Sequence, residues 1–169
     1  MKYAVWSLFC FSLLVAAGHA FAVDKPKPFD GTWILDSRSS EPLDAILKGM
    51  GYGWLSRKIM GTLAVRQVIQ TRTSGLAVRV LTRFSDDTIV LPTDNRWAIG
   101  RTLDGEQTQR RSRWVKNRSV LVTEDRYEQG LLVTVRRRVN STTFHEEVSF
   151  KAPGQPVHQA IRVFRLQVD

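Results

Sequence analysis

The chain has 169 residues, 43% hydrophobic and 24% charged, and its 25 Lys and Arg against 16 Asp and Glu give a net charge of +9. One domain with its own core is expected at this length, and ordinary contents of Gly (11) and Pro (6) exclude collagen-like, low-complexity and wholly disordered chains. A pI near 10.3 excludes an acidic tail protein and leaves open whether the basic surplus serves a partner or only a soluble surface.

Residues 1–22 read as a secretory signal: Lys2 supplies the positive start, residues 5–17 are apolar, and Ala20-Phe21-Ala22 is a small-x-small cleavage site. The apolar run is short of the roughly 20 residues that span a bilayer, which favours cleavage over an uncleaved anchor. Cys10 is the single cysteine and lies inside the signal, so residues 23–169 form a cysteine-free domain. Cleavage removes one cation, Lys2, and leaves a net charge of +8. An export signal without mature cysteines predicts a periplasmic or secreted protein, with a Gram-negative periplasm favoured.

After a Lys25-Pro26-Lys27-Pro28 spacer, residues 29–35 read as a strand. Leu43, Ile46, Leu47 and Met50 then fall at helical spacing behind Pro42, and Trp54, Leu55, Ile59 and Met60 repeat the pattern after Gly51 and Gly53, predicting two short helices joined by a glycine turn. From Val65 onward apolar and polar residues alternate. Turn signals interrupt them at Ser74-Gly75, Asp86-Asp87, Asp94-Asn95, Asp104-Gly105, Asn117, Gln129-Gly130, Asn140 and Pro153-Gly154. The expectation is an all-β fold: ten antiparallel strands in an up-and-down β-barrel, closed to remove unpaired edges, with a helix-turn-helix lid between strands 1 and 2. A barrel of ten strands is wider than one of eight, whose side chains can fill it, so a ligand cavity is expected.

Gly31-Thr32-Trp33-Ile34-Leu35, the block from Leu43 to Gly53, Ser56-Arg57-Lys58-Ile59, and Ala160-Ile161-Arg162-Val163-Phe164-Arg165 carry a family resemblance. The chain resembles the fatty-acid-binding (intracellular lipid-binding) proteins of the calycin superfamily, in an exported form. It departs from the family pattern in a longer stretch before the first helix, in Pro42 and Leu43, and in Phe164 where the family has Tyr. The resemblance implies non-catalytic transport of a small hydrophobic ligand, acidic in character, such as a fatty acid. It also implies that Arg137 on the eighth strand and Arg162 on the last hold the ligand's carboxylate, which suits the planar guanidinium fork.

On the eighth strand Leu131, Val133, Val135 and Arg137 share one face and Leu132, Thr134, Arg136 and Arg138 the other; on the last, Ala160, Arg162, Phe164 and Leu166 share a face. The alternative is that both arginines face solvent, or are satisfied by an internal carboxylate such as Glu146 or Glu124. Val135, Val78, Val80 and Phe84, with Leu43, Ile46 and Leu47 of the lid, are the candidate apolar lining, and Phe164 lies beside the anchor. Lys48, Arg57 and Lys58 on the lid suggest transient contact with an anionic membrane surface.

No metal or cofactor is expected, since the mature histidines, His145 and His158, fall in no ligand spacing and no nucleophile elbow or phosphate loop occurs. An enzyme is therefore not expected. Ten Lys and Arg over residues 101–138, with Trp114 and Tyr127 among them, resemble a nucleic-acid surface, but export argues against that partner. A monomer is expected. The alternative function is an envelope interaction protein whose barrel is filled and whose basic outer face binds an anionic partner.

Overall fold

The computed structural model describes residues 27–102, 105 and 107–168. The expected signal segment lies outside the described residues. The elements run β1 (Gly31–Leu35), α1 (Asp44–Gly49), α2 (Trp54–Gly61), β2 (Arg66–Arg72), β3 (Gly75–Leu81), β4 (Asp86–Leu91), β5 (Ala98–Arg101), β6 (Gln107–Val115), β7 (Val120–Tyr127), β8 (Gly130–Asn140), β9 (Thr143–Lys151) and β10 (His158–Leu166).

All ten strands form one antiparallel sheet in the order β4-β3-β2-β1-β10-β9-β8-β7-β6-β5. The first and last strands meet with Trp33 opposite Leu166 and Leu35 opposite Phe164, which curls the meander into a barrel. Closure is incomplete, because β4 and β5 are sheet edges that do not pair with each other. The loop between them reaches past β5 instead: Asp94 bridges to Arg113, and the Asn95 N–H donates to the Ser112 carbonyl at 3.0 Å.

Turn chemistry sets the phase of each hairpin. Between β2 and β3 the backbone bends at Gly75, where φ is +139° and a Cβ would lie 2.1 Å from the Leu91 carbonyl oxygen, so only glycine fits. The turn expected at Asp86-Asp87 lies earlier, because the Thr82 hydroxyl accepts the N–H groups of Phe84 and Ser85 and turns the chain there. Asp86 then begins β4, paired across the sheet with Arg79 at 2.5 Å.

The helices follow α1 and α2 as expected, with α1 starting at Asp44, after Leu43 rather than at Pro42. Arg57 ties the two together, donating to the Asp44 carboxylate and to the Tyr52 carbonyl, both at 2.9 Å. Ile46 of α1 packs on Phe150 and Ala160, which lays the lid over the β9–β10 side of the open end.

The opposite end of the barrel is filled. Phe29 enters it from the segment before β1 and stacks on Trp114 at 5.8 Å, while Phe144 packs edge-on to Trp33 and flat on Phe164, each at 4.8 Å. The Trp33 indole N–H donates to the Phe29 carbonyl at 2.7 Å. Arg138 closes the floor, donating to the carbonyls of Pro28, Asn140 and Ser141 with its guanidinium over the Trp33 ring.

Outside the barrel, Glu124 accepts from Arg111 at 2.6 Å and from Arg113 at 2.5 Å. Burial works to raise the Glu124 carboxyl, but the hydrogen bonds and charges of Arg113 and Arg111 outweigh it and hold the group below its ordinary value.

Two outcomes follow. Phe29→Ala is expected to cost about 3–5 kcal/mol in denaturant unfolding, since the ring leaves a cavity among other rings. Because Glu124 titrates lower when folded, its contribution is full above the ordinary carboxylate range and is lost as pH falls through it. Glu124→Gln is therefore expected to lower Tm near pH 7 and to narrow the difference in Tm between pH 7 and pH 3.

Candidate functional site

The open half of the barrel holds a cavity of about 270 Å³. Tyr52 and Met60 of the lid, Ile89 and Leu91 of β4, and Tyr127 and Leu132 supply its apolar wall. A polar strip crosses β6, β7 and β8, made of Arg110, Thr123, Asp125, Thr134 and Arg136, with Tyr127 and Leu132 beside it on the same faces of β7 and β8. These residues alternate along their strands, so one face of each strand delivers them all.

Two guanidinium groups are therefore inside. Arg110 Nε lies 2.6 Å from Asp125 Oδ1, with both side chains at most 7% exposed. Burial pushes the Asp125 carboxyl up, against the pull of Arg110 and Arg136. Arg136 meets Glu146 at 2.7 Å.

Register explains the second pair and extends it. Arg136 stands opposite Glu146 across β8 and β9, and Glu146 stands opposite Arg162 across β9 and β10. Gln67 reaches the same Glu146 oxygen, Oε2, at 3.5 Å. The result is an inward row, Arg136–Glu146–Arg162, whose Arg136 end lines the cavity and whose other two members, Glu146 and Arg162, lie two residues along their strands from Phe144 and Phe164 of the aromatic floor. With all three groups charged the row sums to +1.

The row is under-satisfied. Among the described residues no hydrogen bond or ion pair is made by the Arg162 guanidinium, while the buried Arg136 Nε and Gln67 Oε1 also lack partners. Burial lowers the Arg162 pKa and the Glu146 charge works the other way, so the cation is desolvated but not paired.

The sequence-derived residues divide accordingly. Arg162 and Phe164 point inward, Phe164 as a buried ring on Phe144. Arg137 does not: its side chain is 47% exposed on the outer wall and reaches Glu147 at 3.4 Å. Val135 shares that outer face, so both positions are corrected to the alternate set, on which Arg136 lines the cavity and Arg138 lies in the floor. Glu146 is the internal carboxylate that the alternative reading named, whereas Glu124 is bound on the outer wall.

Val78 and Val80 are buried in the core beside the aromatic floor. Phe84 is corrected too, because the turn at Thr82 breaks the alternation of β3 and leaves the ring 65% exposed beneath Arg83. Ile46 and Leu47 are buried and Leu43 packs partly with them, on β9 and β10 rather than on the cavity wall. The lid residues on that wall, Tyr52 and Met60, and the Arg110–Asp125 pair were not singled out from sequence. Alternation on β6 and β7, counted inward from Trp114 and Leu121, marks both members of the pair.

Breaking a buried ion pair leaves one charge uncompensated, at a cost of about 3–5 kcal/mol, while replacing both members by apolar groups is often neutral. Arg110→Leu is expected to lose about that much stability in urea unfolding, and Arg110→Leu with Asp125→Leu to recover most of it.

No protein-family model matches the sequence, and no curated protein matches it. Solved structures do. The Echinococcus granulosus fatty-acid-binding protein 1 superposes with a TM-score of 0.71 at 17% identity, over 85% of this chain and 100% of that one. A Schistosoma mansoni fatty acid binding protein in complex with arachidonic acid gives 0.70 at 18% identity, over 85% and 99%. Lipid binding protein 8 of Caenorhabditis elegans, in its apo form, gives 0.69 at 14%, over 83% and 96%. The ten-stranded barrel with its two-helix insertion after β1 is thus the calycin fold of the fatty-acid-binding proteins.

Proposed function

We propose that the protein binds and carries a small hydrophobic ligand with an acidic head, a fatty acid or a similar lipid, inside its barrel. The observation that carries this reading is the unpaired Arg162 in a row of charge +1 next to a cavity with an apolar wall. A monoanionic head brings that row to neutrality and supplies acceptors to guanidinium N–H groups that have none. The structural likeness to a fatty acid binding protein holding arachidonic acid supports the same assignment. A cavity of about 270 Å³ lies at the small end of ligand pockets, which run roughly 300–1,000 Å³, and favours a short or medium chain. The role is binding rather than catalysis, in the periplasm or outside the cell.

Loading and release fit the lid. Trp54 and Leu55 of α2 are 64% and 65% exposed, Ile59 is exposed beside them, and Lys48 and Lys58 add charge. Apolar rings and cations together suit brief contact with an anionic membrane surface. Trp54→Ala is expected to slow transfer of a fluorescent fatty acid to vesicles containing phosphatidylglycerol, with equilibrium affinity unchanged.

Native mass spectrometry of the protein from its own envelope, followed by solvent extraction, tests the assignment. A lipid acid at one per chain is expected. Arg162→Leu is expected to weaken its binding by about tenfold to a hundredfold, the scale of one charged hydrogen bond, while Arg137→Leu leaves it unchanged. A second reading has two observations in its favour: the floor is filled by the protein's own rings, and outside the barrel Arg111 and Arg126 both lie over the Trp97 ring, at 4.6 and 4.0 Å. A clean apo mass with no uptake of lipid acids would favour that reading, an interaction protein meeting an anionic partner through its basic outer wall.

A further inference from the structure

We propose that Glu146 is the residue that sets which head charge the barrel accepts, admitting single anions in preference to neutral or doubly charged heads. The inference rests on the lipid-carrier reading above and adds the rule by which that site selects.

Glu146 stands between Arg136 and Arg162 in one inward row. It has already taken the guanidinium that lines the cavity, at 2.7 Å, so an incoming head meets not two free cations but one. Of the neighbouring cations, Arg110 is matched by Asp125, and Arg138 is held in the floor by the carbonyls of Pro28, Asn140 and Ser141 over the Trp33 ring, so the row itself meets the head. A monoanion therefore neutralises the row, a neutral alcohol leaves a desolvated cation, and a phosphate monoester brings one negative charge too many. In a partly buried site one unmatched charge a few ångströms away is worth several kcal/mol at an effective dielectric near 20, so a difference of one charge decides the ranking. The position is built for this: Glu146 is fixed by Arg136 and by Gln67, whose buried Oε1 has no partner of its own. Glu146→Gln raises the row to +2 and is expected to move the optimum from one negative charge to two.

Isothermal titration of the purified protein with laurate, dodecanol and dodecyl phosphate at pH 8 reads the rule directly, since the three share a chain and differ in head charge. Wild type is expected to bind laurate about tenfold more tightly than either of the others. Glu146→Gln is expected to bring dodecyl phosphate level with laurate or above it. The pair replacement Arg136→Leu with Glu146→Leu keeps the sum at +1 and is expected to keep the laurate preference, and Arg162→Leu, with a sum of zero, to favour dodecanol. These two variants keep the rule falsifiable if Glu146→Gln does not fold. A folded Glu146→Gln that binds with the wild-type ranking overturns the role of Glu146, as does a pair replacement that loses the laurate preference. Wild type that binds none of the three overturns the carrier reading itself, and the selection rule with it.

Discussion

The pairing of β1 with β10 is the constraint from which the rest of the molecule follows. Once Trp33 is set opposite Leu166, the alternation of every strand in the continuous sheet is phased against one common interior. No strand can then choose its more apolar face independently. On β8 this matters most, because the face carrying Leu131, Val133 and Val135 is the outer one and the face carrying Thr134 and Arg136 is the inner. Charge is thereby forced inside the barrel, and the two guanidinium groups that line the cavity, Arg110 and Arg136, each have a carboxylate opposite on the neighbouring strand.

Those pairs are poor sources of stability, since desolvation offsets most of the attraction. The stability resides instead in the other half of the barrel, where Phe29, Trp33, Phe144 and Phe164 pack ring against ring and exclude water. One half fills itself and holds the fold; the other keeps a cavity lined by both apolar side chains and a polar strip. That division separates the packed floor from the proposed binding site along the barrel axis, with the Arg136–Glu146–Arg162 row at the seam.

Much of this was legible in the sequence because local chemistry and global fold agree. The strand around Trp33, the two helices behind Pro42 and Gly53, and turns at Gly75, Asn117 and Gly130 are each set by residues within a few positions. The failures occur where a distant element decides. Arg137 and Val135 read as inward because their strand face is the more apolar, but closure of the sheet, not local hydropathy, assigns the face. Phe84 read as a continuation of Val78 and Val80 because nothing in an alternation pattern says that a threonine hydroxyl will end it two residues earlier. Arg162 was placed inward correctly since Ala160 and Phe164 flank it on the same face. Its relation to Glu146 depends on the β9–β10 register, which is not a local property.

The two halves also limit each other. On the reading proposed above the ligand's head sits at the seam and can sit no deeper, because the volume beyond is occupied by Phe144 and Phe164, stacked 4.8 Å apart. Shortening either ring would lengthen the cavity toward the floor, but those rings join Trp33 to Phe29, and Phe29 is the plug on which Arg138 closes the end of the barrel through Pro28. The depth open to a ligand and the stability of the fold are therefore coupled through the same side chains. On the proposed reading a substitution at Glu146 changes the charge such a barrel accepts without altering its rings, whereas a change in the depth it offers must come out of its core.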